Sequence, residues 1–199
     1  MKKTVALLLA LVTVFLLVGC NTGKAELSRG TIEGNVYKNE YLGIQFTKPD
    51  SWVYSTDEEI AAVTNMGAEL LGENFKEALD NNPSVYDMMV VDSITRNNIN
   101  IGYENLAKTL SSNITVEQYV EAIKRQLENI SAVSVTFPDT YDTVKLGETE
   151  FTRVICSTAS YGVKMTQVYY LHKIEGYMAF IIVTIHDGDS VADIEAMFK

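Results

Sequence analysis

The chain has 199 residues and a formal net charge of −10, from 26 acidic and 16 basic side chains. Such an acidic body argues against a nucleic-acid partner, because nucleic-acid phosphates are bound by clustered Lys and Arg. The 47% hydrophobic content is sufficient for one packed domain of this length, and there is no internal repeat or low-complexity tract. We therefore expect a single globular domain that binds no nucleic acid.

The amino terminus has the pattern of a secretory signal. Lys2 and Lys3 precede a run of 14 residues, 5–18, which are apolar except for Thr13. A helix that crosses the hydrocarbon core needs roughly 20 such residues, whereas runs of about 10–14 are typical of the centre of a signal peptide. The alternative is a short transmembrane helix with an unmodified cysteine at its end.

The apolar run ends in Leu17-Val18-Gly19-Cys20, which resembles the lipobox of bacterial lipoproteins. The resemblance implies that residues 1–19 are a lipoprotein signal peptide and that Cys20 becomes the acylated mature amino terminus. Two acyl chains attach a protein stably to a membrane, whereas one binds marginally. We therefore expect lipidation at Cys20, which would anchor the protein at the extracytoplasmic face of the cell membrane.

After the lipobox the chain is polar and rich in glycine. Residues 20–35 show no sustained periodicity and are predicted to form a flexible linker, so that the domain occupies residues 36–199. Cys156 is then the only other cysteine, which excludes an internal disulfide. It lies in the strand-like segment FTRVICSTAS, where we expect a small buried hydrophobe, with a nucleophile as the alternative.

The first elements of the domain are predicted to be a hairpin and a helix. Ile44 and Phe46 alternate with polar residues before the Pro49-Asp50 turn, and Trp52 and Tyr54 alternate after it. A capping box formed by Thr56 and Glu59 then predicts the start of a helix. The apolar face expected for this helix consists of Ile60, Val63, Leu70 and Leu71.

Two strands and a second helix follow. The strands are expected at 88–95 and 98–106, and Thr115 with Gln118 forms a second capping box. The apolar residues of this helix recur at spacings of three and four, so that only one face is apolar: Val116, Tyr119, Val120, Ile123, Leu127 and Ile130. A helix of this kind is expected to cover one face of a sheet.

The last third of the chain is rich in strand patterns. We predict four strands. In the last, 177–185, the residues that point to either face are mostly apolar, so we expect both faces of this strand to be covered. Ser190 and Asp193 then begin a short terminal helix. Helices placed among sequential strands indicate an α+β fold, an α/β/α sandwich around a central, mostly antiparallel sheet.

The order of these segments resembles the PsbP/Mog1-like fold, and in particular uncharacterised lipoproteins of Gram-positive bacteria. The resemblance covers about residues 36–199 and depends on structural motifs such as GIQFTKPDSW and NINIGYENL. It implies non-enzymatic roles, which are the stabilisation of a photosystem complex in one branch and the binding of a small GTPase in another. Neither role can be transferred residue by residue, because no interaction motif matches.

Enzymatic chemistry finds little support in the sequence. If Glu175-Gly176 is a hairpin turn, His172 lies opposite Ala179, and His186 is seven residues further along, roughly 23 Å away and on the other face. Carboxylates at 57–59 and at Asp187 and Asp189 are explained by helix capping. We therefore predict no catalytic residue, no metal ligand and no cofactor.

Aromatic residues offer the best candidate binding surface. Tyr41, Trp52 and Tyr54 lie near the first hairpin, and further tyrosines lie in the late strands: Tyr161, Tyr169, Tyr170 and Tyr177. Tyr and Trp favour interfaces because one end of the ring is apolar and the other polar, although most tyrosines of a sheet are simply half-buried.

Two hypotheses on function remain. The first is a non-enzymatic binding or accessory module for an envelope partner, which predicts an exposed apolar patch. The alternative is a small-ligand carrier or hydrolase on the same fold, which predicts a concave pocket with converging polar groups.

Overall fold

The structure is a computed structural model that describes residues 26–64, 75–131 and 133–199. The predicted signal peptide, 1–19, and Cys20 lie outside the described residues, as do Leu70 and Leu71 of the first predicted helix. None of the helices in the described ranges is long and apolar enough to span a bilayer.

The described chain contains short helices distributed among antiparallel strands. The helices are Asp57–Thr64 (α1), Phe75–Asn81 (α2), Leu106–Thr109 (α3), Val116–Glu128 (α4) and Val191–Glu195 (α5). The strands are Thr31–Glu33 (β1), Val36–Asn39 (β2), Ile44–Thr47 (β3), Trp52–Tyr54 (β4), Ser84–Asp92 (β5), Asn98–Asn105 (β6), Val133–Thr136 (β7), Asp142–Leu146 (β8), Thr149–Ser160 (β9), Val163–Ile174 (β10) and Tyr177–Ile185 (β11).

Eight strands form one large sheet, in which every pairing is antiparallel. Its order is β4-β5-β6-β11-β10-β9-β7, and β8 also pairs with β9. The expected α+β architecture with a central antiparallel sheet is therefore confirmed. The final strand has the predicted bounds, Tyr177–Ile185, and lies between β6 and β10.

The segment 133–147 is the first of the four strands that we predict in the last third of the chain, but it forms two strands, β7 and β8. β7 and β8 pair with successive parts of β9, and the chain between them contains Pro138. Proline has no N–H to donate to a ladder and is disfavoured inside a strand. The break therefore lets the two halves of this segment pair with two different parts of β9.

The two faces of the large sheet bury separate clusters. Along β11, Ala179, Ile181 and Val183 belong to the first cluster, whereas Met178 and Phe180 belong to the second. The first cluster is covered by β1-β2-β3, α1, α2 and α5, and we call this side the small-sheet face. The second is covered by α3 and α4, and we call it the α4 face.

The outer layer on the small-sheet face adds one element to the expected fold and corrects the bounds of the linker. It contains a three-stranded sheet as well as helices. β1 also lies inside the predicted linker 20–35 and pairs with β2, with Ile32 opposite Tyr37. All three residues of β1 are exposed. An exposed edge strand carries no apolar alternation, which is why the sequence pattern missed it.

A buried carboxylate fixes this amino-terminal segment. Asp87 is the extra residue of a bulge between β5 and β6, a feature that redirects a side chain. Its Oδ2 accepts hydrogen bonds from the Tyr37 hydroxyl at 2.6 Å and the Asn39 amide at 2.8 Å, and the Gly30 N–H also donates to it at 3.0 Å. Arg29 Nε lies 3.5 Å from Oδ1. Burial raises the pKa of Asp87, and these hydrogen bonds and the Arg29 charge oppose that rise.

Both predicted capping boxes on the long helical segments are confirmed. Thr56 and Glu59 exchange hydrogen bonds of 2.9 and 3.3 Å at the start of α1, and Thr115 and Gln118 do so at the start of α4. On α1, however, Val63 is exposed and does not contribute to the core. α4 buries Tyr119 and Val120 against the sheet, as its one-sided apolar pattern predicts.

Candidate functional site

Tyr41, Trp52 and Tyr54, which are predicted to form an exposed aromatic binding surface, do not form one. Trp52 is 2% exposed and packs against Phe46, with ring centroids 6.5 Å apart, and Tyr41 is 9% exposed. Tyr54 is half-buried, and its hydroxyl donates to the carbonyl of Asn35 at 3.2 Å. The prediction was wrong for Tyr41 and Trp52, because the covering small sheet turns this region into core.

The histidines occupy separate parts of the sheet. His172 lies opposite Ala179, as the hairpin predicted, and its Nδ1 is 3.0 Å from the carbonyl oxygen of Glu150. His186 follows the end of β11 and is exposed. Cys156 is fully buried in the α4-face cluster, and burial raises the pKa of its thiol to about 11. A thiol held in this form is a poor nucleophile, and the packing interpretation is confirmed.

The acidic loop at Asp187 and Asp189 is held by a structural contact. The side chain of buried Asn97 donates to the Asp187 carbonyl at 2.7 Å and to an Asp189 carboxylate oxygen at 2.9 Å. It also accepts from the His186 N–H at 2.7 Å. Across the described ranges, no three His, Cys, Asp or Glu side chains come close enough to hold a metal ion.

A concave site that combines aromatic side chains with a carboxylate lies between α4 and the sheet, and we call it the α4 cleft. It has two adjoining parts, each with a volume of about 310 Å³, which share Ser84, Glu104, Tyr119, Ile123 and Gln126. α4 packs mainly against β7 and β10. Tyr119, Ile123 and Leu127 on α4 border the cleft, and residues of β5, β6, β10 and β11 form its floor. The cleft therefore follows the edge of the helix.

The base of the α4 cleft is aromatic. Tyr86 and Phe180 meet edge to face, with ring centroids 5.3 Å apart and an interplanar angle of 74°, and Tyr169 lies beside them. Gly102 makes this arrangement possible, because a Cβ at that position would lie 2.6 Å from the Phe180 ring and 2.6 Å from the carbonyl oxygen of Val85. A glycine inside a strand often marks such a close approach.

One carboxylate faces the aromatic base. The Tyr119 hydroxyl donates to Oε2 of Glu104 at 2.5 Å, and Glu104 is half-buried. Burial and the Glu104 charge both raise the pKa of Tyr119, so the hydroxyl stays protonated as a donor. Apart from this bond, no hydrogen bond to the Glu104 side chain is present within the described residues. Oε1 of Glu104 is therefore available as an acceptor.

The electrostatic environment of the cleft is negative. Glu104 is the only charged residue among those that line it in the described structure. Burial raises the pKa of Tyr86, and the Glu104 charge raises it further. Lys173 on β10 pairs with Met178 on β11, which in turn pairs with Glu104 on β6, so Lys173 and Glu104 lie on the same face of the sheet. The ammonium group of Lys173, however, donates to the carbonyl of Ile114 at 2.9 Å. No cation within the described lining offsets the carboxylate.

A second concavity lies at the other end of the sheet. It is an open groove of about 600 Å³, lined by the loop around Asp187 and by five hydroxyl side chains: Ser134, Thr136, Ser157, Thr158 and Thr166. Lys164 and the carboxylates of the loop give it charges of both signs. Within the described residues its lining contains no Phe, Tyr or Trp, so it offers a ligand less aromatic surface than the α4 cleft does.

Sequence reasoning found only part of the α4 cleft. Tyr169 is among the late-strand tyrosines, Tyr119 is among the apolar residues of α4, and Glu104 lies in the structural motif NINIGYENL, where the sequence assigns it no binding role. No motif assigns a binding role to Tyr86 or Phe180 either. Gly102, between apolar and aromatic strand residues, is the signal that points to the close packing of Phe180. The pairing of β6 with both β5 and β11 brings the other residues together, and that register is not visible in the sequence.

Comparisons with known proteins add a likeness of fold. No family model and no curated protein matches the chain. Among solved structures, cyanobacterial PsbP (CyanoP) from Synechocystis sp. is 10% identical, with 89% of this chain and 95% of that chain covered and a TM-score of 0.49. A protein from Bacteroides thetaiotaomicron is 14% identical, with 79% and 44% covered and a TM-score of 0.38. These likenesses concern the fold alone, and no function is taken from them.

Proposed function

We propose that the protein is an extracytoplasmic lipoprotein, anchored to the cell membrane through acyl groups on Cys20, that acts as a non-enzymatic binding or accessory module for an envelope partner. The lipobox-like Leu17-Val18-Gly19-Cys20 supports the anchor. The α4 cleft supports a binding role, for an envelope partner or for the small ligand of the second candidate, and it is the single observation on which that role depends. A concave site with a few placed polar groups among apolar and aromatic residues is typical of binding sites.

A small-ligand carrier is the second candidate, and the size of the cleft favours it. Each part has a volume of about 310 Å³, at the lower end of the roughly 300–1,000 Å³ range of small-molecule pockets. Hydrolysis by paired carboxylates is not favoured, because it requires two such groups across a cleft and Glu104 is the only charged residue in the described lining.

Metabolic labelling with an alkynyl fatty acid tests the anchor. We expect label on the full chain and on Cys156→Ser, and none on Cys20→Ser, which should also remain as an uncleaved precursor. Because Cys156 is the only other cysteine, its variant is a matched control for loss of a thiol. An unlabelled wild-type chain, or a labelled Cys20→Ser variant, would contradict the proposed anchor.

Photo-cross-linking in cells tests the binding role. A photoreactive residue at Leu127, half-buried in the cleft, is compared with the same residue at exposed Glu33 on β1. We expect an adduct of defined mass from position 127 only. A protein-sized adduct supports the accessory module, and a small mass increase supports the carrier. Equal labelling at both positions, or none, would refute a binding role for the cleft.

A further inference from the structure

The lining of the α4 cleft selects for one class of ligand. Tyr86, Phe180 and Tyr169 form an aromatic base, and Glu104 places one carboxylate beside it. In the described structure no Lys, Arg or His contributes to that lining. We infer that the cleft binds a small organic ammonium ion, a cation carried on an apolar body. This inference rests on the proposed function of the cleft as a binding site.

The aromatic base provides the first part of the recognition. A cation within about 6 Å of a ring centroid is attracted by the negative face of the ring. The rings of Tyr86 and Phe180 are nearly perpendicular, at 74°, so they form a corner and not a flat platform. Tyr86 is half-buried whereas Phe180 is only 5% exposed, so Tyr86 offers the larger accessible ring surface to a substituted ammonium and Phe180 supports it from below. The apolar substituents of the ligand would meanwhile contact Ile123, Leu127 and Ile182 on the sides of the cleft.

Glu104 provides the second part. Its Oε2 accepts the Tyr119 hydroxyl at 2.5 Å, which orients the carboxylate and leaves Oε1 toward further donors. An anionic ligand would be repelled by this carboxylate. An uncharged ligand could donate a hydrogen bond to Oε1 but would not balance the charge, so the carboxylate would still lose part of its hydration, at a cost in free energy. A cation is the one charge type whose binding offsets that cost.

Within the described lining, no side chain supplies a competing cation. Lys173, in the same part of the sheet, donates to the Ile114 carbonyl at 2.9 Å. The hydrogen bond from Lys76 lowers the pKa of Asp80, and the charge of Lys108, on α3, lowers it further, so Lys108 has a carboxylate near it outside the cleft. The net charge of −10 for the whole chain adds a long-range attraction for small cations, which weakens with salt. Local and overall electrostatics therefore favour the same sign of ligand.

A pair of isosteric probes tests the inference with the full chain in a neutral maltoside detergent. Choline carries a quaternary ammonium, and 3,3-dimethylbutan-1-ol replaces its nitrogen by carbon and has no charge. In calorimetric titrations we expect choline to bind at least about tenfold more tightly than the alcohol, since cation–π and charge contacts contribute on this scale. Equal affinities, or no choline binding, would overturn the inference.

Four variants locate the effect. Glu104→Gln should weaken choline binding several-fold while leaving the aromatic contribution, whereas Glu33→Gln, the same charge change at an exposed site on β1, should leave choline affinity unchanged. Tyr86→Leu should weaken choline binding, and Tyr86→Phe, which keeps the ring, should not. Choline binding that is indifferent to Glu104→Gln would overturn the inference.

The result is independent of the test of the proposed function. If the alcohol binds as well as choline and the Leu127 adduct still forms, the cleft remains a binding site and only the ligand class is wrong. If acylation fails, the anchor is refuted and the choline comparison is unaffected. The near-ultraviolet circular dichroism spectrum of each variant is compared with that of the wild type. An unchanged spectrum shows that the variant is folded and that its loss of affinity comes from the binding site.

Discussion

The two faces of the large sheet each carry a carboxylate next to tyrosine hydroxyls, but they use it differently. On the small-sheet face Asp87 is fully buried and accepts hydrogen bonds from Tyr37, Asn39 and Gly30. On the α4 face Glu104 is half-buried and accepts one, from Tyr119. A carboxylate whose partners are all within the protein stabilises the fold, whereas one with an unused acceptor beside a cavity is available to a ligand.

The largest expected effect is the loss of the Asp87 carboxylate. Asp87→Ala would remove the acceptor of the Tyr37 hydroxyl and of the Gly30 N–H in a buried site. It would also remove one acceptor of the Asn39 amide and one of the carboxylates near the Arg29 guanidinium. We expect a loss of about 3–5 kcal/mol in the free energy of unfolding, the range for breaking a buried charged network. Denaturant titration measures it. Asp139→Ala, at an exposed position, serves as the control, and a loss below 1 kcal/mol for Asp87→Ala would show that the network is dispensable.

The next effect concerns the close packing beneath the cleft. Gly102→Ala would place a methyl group 2.6 Å from both the Phe180 ring and the Val85 carbonyl oxygen. We expect a loss of about 1–3 kcal/mol, the usual cost of overpacking a core. Gly176→Ala is the matched control, because a Cβ there meets nothing within 4 Å. Equal thermal stabilities of the two variants would contradict the proposed role of Gly102.

Glu104→Gln sharpens the contrast with Asp87. Glu104 is half-buried, and in the described structure its side chain has one hydrogen-bond partner, Tyr119. We therefore expect the free energy of unfolding to change by no more than about 0.5 kcal/mol, as for most surface substitutions. The same denaturant titration measures it alongside Asp87→Ala. A loss comparable to that of Asp87→Ala would mean that Glu104 is structural and that the two faces do not differ as described.

The smallest expected effect concerns the ion pair between Arg29, which precedes β1, and Asp57. This pair should make the free energy of unfolding slightly lower in acid. The Arg29 guanidinium, hydrogen-bonded to Asp57 at 2.6 and 2.8 Å, holds the pKa of that carboxyl below its usual value of 3.8. The pair therefore stabilises the folded state above about pH 4, and this contribution is lost as the pH falls through the lowered pKa.

Asp57 is partly exposed, so the contribution should be only a few tenths of a kcal/mol. Comparing wild type with Asp57→Asn, we expect a difference in the free energy of unfolding at pH 7 that disappears near pH 2. A difference that persists unchanged at low pH would rule out this electrostatic explanation.

Local signals in the sequence predicted the regular part of the fold. The capping boxes at Thr56 and Thr115, the bounds of β11 and the position of His172 opposite Ala179 all depend on residues close in the chain. Cys156 in an alternating segment is buried, as its pattern indicates.

The sequence did not reveal features that depend on distant pairings. β1 is exposed and short, and only its partner β2 makes it a strand. Trp52 and Tyr41 are covered by elements that no local pattern places above them. In the same way, Tyr86, Glu104 and Phe180 belong to three different strands, and only the order β5-β6-β11 brings them into one cleft.

The most direct test of the account is where a ligand contacts the protein. Amide chemical-shift mapping of the full chain in maltoside detergent, titrated with choline, reports this residue by residue. We expect the perturbed amides to cluster around the α4 cleft, at Ser84, Glu104, Tyr119 and Phe180. Perturbations confined to the hydroxyl-lined groove around Ser157 and Thr166, or absent throughout, would contradict the assignment of the α4 cleft as the binding site.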